Sequence, residues 1–210
     1  MCTQTTPAKP LRDRETASSR LRNRAQHWGY IAVVFHWLVA IAVVGLFSLG
    51  MWMTDLTYYD PWYKQAPDLH KSIGITLLAV YLARLVWRLS DRPPDPVIGH
   101  SDLVLKAAHA THWILYGGLF AVMVSGYLIS TADGRAISVF GLFDVPAMIT
   151  SIDKQEDLAG VIHKWLATSL ISLAIAHALA ALKHHFYDKD NTLKRIFARP
   201  SPPQCKGPSS

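Results

Sequence analysis

The 210-residue sequence predicts an all-α fold, an integral membrane four-helix bundle with both termini on the cytoplasmic side. Three observations carry this reading. Half of the residues are apolar and only 17% are charged, a composition more hydrophobic than soluble domains usually show. The apolar residues gather into four runs, each close to the length that crosses about 30 Å of hydrocarbon. The 21 Lys and Arg residues are shared very unequally between the segments that separate those runs, as the positive-inside rule describes.

The first run, residues 30–53, contains no acidic or basic residue and reads as a transmembrane helix. The second, residues 70–89, carries Arg84 and Arg88 near its end, where long side chains can reach the interface. The third, residues 107–130, is again uncharged, and in the fourth, residues 159–182, only Lys164 breaks the apolarity. Residues 1–25 and 199–210 are rich in Ser, Thr, Pro and charge and read as disordered cytoplasmic tails. Residues 26–198 remain as the folded domain. The first run lies behind a polar leader and exceeds the apolar core of a signal peptide, so no cleavage is expected.

Basic residues set the orientation. With a cytoplasmic amino terminus the inside holds the Lys and Arg of the leader, Arg84, Arg88, Arg92 and Lys106, and those from Lys183 onward, sixteen of the 21. The outside holds Lys64, Lys71, Arg135, Lys154 and Lys164. The pI near 9.4 therefore reflects topology and not nucleic-acid binding. Cys2 and Cys205 sit in the polar tails, and no C-x-x-C-H string is present. That composition excludes a disulfide framework and covalent haem attachment.

Histidines in the apolar runs are the candidate functional residues. His163 and His177 are fourteen residues apart, an advance of about 21 Å that returns to nearly the same helix face. Polar rings at two depths of a bilayer are costly and ask for a shared explanation. Depth pairs them with two others: His36 with His177 near the cytoplasmic side, His70 with His163 near the external side. Each pair draws ligands from two helices, as a haem held in a bundle by two imidazoles requires. A zinc site and a polar helix interface are the competing readings.

Small and charged residues recur at the same interval. Gly50 is fourteen residues after His36 and Gly126 fourteen after His112, leaving room for a flat macrocycle or simply for close helix contact. Arg84 is fourteen after His70, placed to pair with a haem propionate or to anchor the helix at the interface. His112, with His109 before it and Lys183, His184 and His185 across the bundle, marks a cytoplasmic cluster. It suits a haem edge or a quinone headgroup, or else merely the water interface. Lys71 and Lys164 each follow an external histidine. They can bind propionates, draw in a small anionic donor, or snorkel. The long connection 131–158, with a turn at Asp133-Gly134, reads as an ordered cap over the external site. The aromatic loop 54–69 reads as headgroup-level sequence. His27 and His100 receive no role.

The strings Phe35-His36-Trp37-Leu38, Leu69-His70-Lys71-Ser72-Ile73-Gly74, the segment from His109 to Tyr116, His163-Lys164-Trp165-Leu166-Ala167 and His177-Ala178-Leu179-Ala180-Ala181-Leu182-Lys183-His184-His185 resemble the bacterial cytochrome b561 family. The stretch from Ser125-Gly126-Tyr127 to Asp144-Val145-Pro146 is similar to one enterobacterial branch. The resemblance covers about residues 26–197. It implies an inner-membrane bundle with two non-covalent haems b, held by His36, His70, His163 and His177, that moves electrons between the quinone pool and a periplasmic partner. Some relatives oxidise superoxide and reduce ubiquinone. Others are haem-bearing anchor subunits that relay electrons for a periplasmic oxidoreductase. The expected contacts are therefore membrane lipid, ubiquinone and a periplasmic redox protein or small anion.

Overall fold

A computed structural model describes residues 21–24, 27–95, 101–150, 152–189 and 192–197. Apart from 21–24, both expected tails lie outside these residues. Four long helices run as α1 (Tyr30–Thr54), α2 (Gln65–Ser90), α3 (Asp102–Ser130) and α4 (Gln155–Phe186). An antiparallel hairpin, β1 (Ile137–Val139) and β2 (Phe143–Val145), lies between α3 and α4, and a short α5 (Thr192–Phe197) follows. All four long helices are long and apolar enough to cross a membrane.

The helices outrun the apolar stretches that announce them. α2 starts at Gln65 where 70 was expected, α3 at Asp102 where 107 was expected, and α4 runs from Gln155 to Phe186 around an expected 159–182. Hydropathy marks the hydrocarbon, whereas backbone hydrogen bonding continues into the interface. The added turns suit the helix dipole: Asp68, Asp102, Glu156 and Asp157 lie in first turns, and Lys183, His184 and His185 in the last turn of α4. Ser101 also caps α3, its Oγ accepting from the Val104 N–H at 3.5 Å.

α1 packs mainly on α2 and α3 mainly on α4, while α2–α3 and α1–α4 contacts close the ring. The result is an up-down-up-down bundle. Asn23 N–H donates to Asp91 Oδ2 at 2.8 Å, and Arg195 Nη1 donates to the Asp95 carbonyl at 2.8 Å. The segment before α1, the α2–α3 connection and α5 thus share one end.

Large apolar side chains such as Ile41, Val44, Val86, Leu89, Trp165 and Leu179 face outward, as they do where lipid is the solvent. The buried cluster is small: Val39, Leu77, Tyr81, Leu119 and Leu170, with Val43, Leu46 and Leu115 packed on it. Leu170 stands seven residues from both His163 and His177, and Leu77 seven from both His70 and Arg84. An apolar plug therefore sits midway between the two histidine levels.

The connection expected as a cap carries a two-stranded hairpin, in described residues that are otherwise all-α in their regular structure. Its hairpin also leans on the flank of α2, where Ser72 Oγ accepts from the Phe140 N–H at 3.1 Å and donates to the Ser138 carbonyl at 3.4 Å. Two helical residues turn by about 200°, so Ser72 faces away from the His70 side. Tyr127 Oη donates to the Pro146 carbonyl at 2.7 Å and accepts from the Met148 N–H at 2.9 Å, which ties the rest of the connection to α3.

Candidate functional site

At one end of the bundle the His70 and His163 rings have centroids 6.3 Å apart and planes 75° apart. Two axial metal–nitrogen bonds of about 2 Å each, with roughly 1 Å from each nitrogen to its ring centre, give about 6 Å. All four helices shape this level. A Cβ on Gly50 of α1 would meet His70 Cε1 at 3.3 Å, and one on Gly126 of α3 would meet His163 Cε1 at 3.1 Å and Nδ1 at 3.3 Å. Glycine is what allows the imidazoles to lie against these helices. His70 Nδ1 is buried without a hydrogen-bond partner.

His163 is held from behind. Its Nδ1 lies 3.0 Å from the Val122 carbonyl and 3.1 Å from Ser125 Oγ, which itself donates to that carbonyl at 2.9 Å. A carbonyl only accepts, so Nδ1 carries the proton and Nε2 keeps the lone pair a metal needs. Ser125 is buried at 5% exposure. Its signals in the sequence are its place beside Gly126 and at the head of the Ser125-Gly126-Tyr127 stretch, neither of which gives it a role.

The other level gathers the expected His36, His177, His112 and Arg84, with Tyr116 beside them. His36, His112 and His177 lie within electrostatic reach of one another and of Arg84. The His112 and His177 centroids are 5.3 Å apart at 68°. Arg84 turns inward, with Nη2 3.3 Å from His36 Nδ1 and the guanidinium carbon 5.2 Å from the centre of the Tyr116 ring. Tyr81 Oη donates to the Tyr116 carbonyl at 3.2 Å. Tyr116, one helical turn after His112 and at the end of the His109 to Tyr116 segment, carries no assigned role in the sequence. His36 and His177 are thus brought to one level, and His112 stands with them as a third imidazole.

The surrounding charges are partly neutralised. Lys71 Nζ pairs with Asp68 Oδ1 at 2.7 Å, while Lys164 is exposed. His184 Nδ1 lies 2.6 Å and Lys183 Nζ 3.0 Å from Asp188 Oδ2, so His184 belongs to a surface cluster at the end of α4. The hydrogen bond from Lys183, and then that from His184, hold the Asp188 carboxyl below the usual carboxylate range. His109 Nε2 accepts from Trp113 Nε1 at 2.9 Å.

The residues present fit haem. Among the described residues no three His, Cys, Asp or Glu side chains gather to hold a lone ion. A haem iron needs only two protein ligands, because the macrocycle supplies the rest. Paired imidazoles and glycine cradles are the features such a group asks for.

Comparison with known proteins agrees. Residues 27–199 match the family model of prokaryotic cytochrome b561. Cytochrome b561 homolog 2 of Escherichia coli is 52% identical over 179 residues, covering 85% of this chain and 95% of that protein. The probable superoxide oxidase CybB of Yersinia pestis is 31% identical over 170 residues, covering 80% and 94%. Cytochrome b561 homolog 1 of Escherichia coli is 28% identical over 173 residues, covering 82% and 93%. The chain belongs to the prokaryotic cytochrome b561 family, as a multi-pass protein of the bacterial inner membrane that holds haem b and takes part in electron transfer.

Proposed function

We propose that the chain holds two haems b, one between His70 and His163 and one between His36 and His177, and passes electrons between a periplasmic donor or acceptor and the quinone pool. The 6.3 Å spacing of the His70 and His163 rings, cradled by Gly50 and Gly126, carries this reading. The haems supply one-electron carriers at two depths of the membrane.

The chain's own residues do the rest. The Val122 carbonyl and Ser125 fix the His163 tautomer. Arg84 sets a positive charge beside His36, where it can balance an anionic haem edge once the pair is loaded. The Val39, Leu77, Leu119 and Leu170 layer keeps water from the space between the levels. At the hairpin end, Lys164 and the Asp68-paired Lys71 offer positive charge to a small anion. His112 offers a hydrogen-bonding group to a quinone headgroup near the opposite level. The excess of basic residues on the segments before α1, between α2 and α3, and after α4 supports a cytoplasmic position for that end.

The likeness to a probable superoxide oxidase supports superoxide as the anionic donor. Two superoxide ions would each lose one electron and leave as dioxygen, and one quinone would gain those two electrons and two protons. Haem counting on the purified full chain, with a reduced-minus-oxidised spectrum, tests the reading. Two haems per chain with a b-type spectrum are expected; one haem per chain would sink the two-site arrangement. Superoxide-dependent quinone reduction by the same preparation tests the donor.

A further inference from the structure

We propose that the β1–β2 hairpin is a lipid-seated anchor, whose tip at Phe140, Leu142 and Phe143 sits in the bilayer leaflet at the His70 end. This does not rest on the haem assignment, only on the membrane-spanning bundle.

Position is the first argument. The hairpin is bonded to Ser72, on the side of α2 turned about 200° from His70 and hence away from the bundle. Ser72 lies about 10 Å along α2 from Gln65, at 1.5 Å per residue. It directly follows Lys71 and precedes Ile73, which opens a stretch of that membrane-spanning helix without acidic or basic residues as far as Ala83. The tip therefore flanks α2 at the level where headgroups give way to acyl chains. The aromatic residues Tyr58, Tyr59 and Trp62 mark the same interface from the α1–α2 connection.

Amphipathicity is the second. Ile137 and Val139 are buried against α2, and the cross-strand partners Ser138 and Asp144 are exposed on the other face. At the tip the order changes: Phe140, Leu142 and Phe143 are 53%, 81% and 56% exposed. A polar face with an apolar tip suits a segment lying at a membrane surface. Backbone pairing within the hairpin and to Ser72 satisfies groups that lipid cannot.

The third argument is backbone strain. Phe140 and Gly141 have φ of 50° and 71°, and the turn closes through the Leu142 N–H to the Val139 carbonyl at 2.9 Å. Such a turn favours Asn or Gly at both central positions. A bulky apolar residue held there against its backbone preference points to a use for its side chain.

The test uses the full-length chain with Cys2→Ser and Cys205→Ser, carrying one fluorescent label at Leu142→Cys or, as a reference, at Ser138→Cys. It is reconstituted in vesicles of phosphatidylethanolamine and phosphatidylglycerol. Lipids brominated high on the acyl chain should quench the Leu142 label at least twofold more than the Ser138 label, and aqueous iodide should show the reverse order. A Leu142 label quenched by iodide as strongly as the Ser138 label overturns the proposal. So does a label shielded from both quenchers, which would place another protein surface over the tip. Phe143→Cys repeats the reading at a second tip position should Leu142→Cys fail to fold.

Discussion

The His163 Nδ1–H donates a hydrogen bond to the Val122 carbonyl at 3.0 Å, and Ser125 Oγ stands 3.1 Å from the same nitrogen. His70, across the bundle, has a buried Nδ1 without such support. The two rings of one level are therefore held unequally: α3 presents both an acceptor and a hydroxyl to His163. A hydrogen bond to the far nitrogen makes an imidazole a stronger electron donor to a metal, which favours the oxidised state.

Ser125→Ala should therefore leave two haems bound and raise the midpoint potential of one of them. Loss of one hydrogen bond of about 1 kcal/mol corresponds to roughly 40 mV for a one-electron couple, where a tenfold change is about 59 mV. A redox titration followed optically reads both haems at once. Ser125→Thr, which keeps the hydroxyl, should restore most of the difference. Equal potentials in all three proteins would remove Ser125 from any role in tuning.

Gly126→Val should cost the same level its haem. A Cβ at Gly126 falls 3.1 Å from His163 Cε1, and the ring cannot retreat freely while Val122 and Ser125 hold Nδ1. Overpacking of this kind destabilises by about 1–3 kcal/mol. Gly74→Ala is the control, because a Cβ there meets nothing within 4 Å. Haem content of the two purified variants separates a cradle from a chance glycine; equal content would show that Gly126 is only a helix contact.

The sequence reveals the bundle because hydrocarbon imposes its thickness on apolar runs, and it reveals the histidine levels because helical periodicity turns a spacing of fourteen into a shared face. What it hides is set by side chains that cross between helices. Val122 acts through a carbonyl that every residue possesses. Ser125 looks like any small residue on a packed face. Asp68 and Asp188 carry no signal of their own in the sequence, and only the fold brings Lys71 and Lys183 to them. The hairpin is hidden for another reason: its tip breaks the turn chemistry that would announce it, placing Phe140 where Asn or Gly is expected. The starts of α2, α3 and α4 and the end of α4 lie four or five residues beyond the expected bounds, because charged turns extend the helix where hydropathy has already fallen, whereas the other ends agree within a residue.

Acid should loosen the end of α4. The Asp188 carboxyl is held below its ordinary value of 3.8 by the hydrogen bond from Lys183 and then that from His184. A carboxyl whose folded value is depressed contributes stability that is present above its unfolded value and is lost as pH falls through the folded one. The amides of Tyr187 and Asp188, which donate to the Lys183 carbonyl, should therefore lose protection, measured against their intrinsic exchange rates at each pH, as the pH falls below 3.8. Hydrogen exchange read by mass spectrometry checks this. Asp188→Asn should show that loss of protection already at neutral pH; unchanged protection there would mean the cluster does not hold the turn.

Three imidazoles share the level opposite the hairpin, and only two can ligate one haem. His112 has its ring centroid 5.3 Å from that of His177, nearer than two rings on either side of an iron stand, which is about 6 Å. His36 comes from α1 with its Nδ1 against Arg84. That contact leaves the proton on Nε2, since a guanidinium only donates. Ligation by His36 therefore requires Arg84 to release Nδ1, and an anionic propionate is the partner that would draw the guanidinium away. His36→Ala and His177→Ala should each reduce the purified chain to one haem. His112→Ala should keep two and alter the reduction of added quinone. Arg84→Lys should retain two haems with a lower potential at this level if a propionate keeps its charge partner only loosely. If His112→Ala loses a haem while His36→Ala keeps both, the axial pair at this level is His112 and His177, and Arg84 is a partner for a histidine that binds no iron.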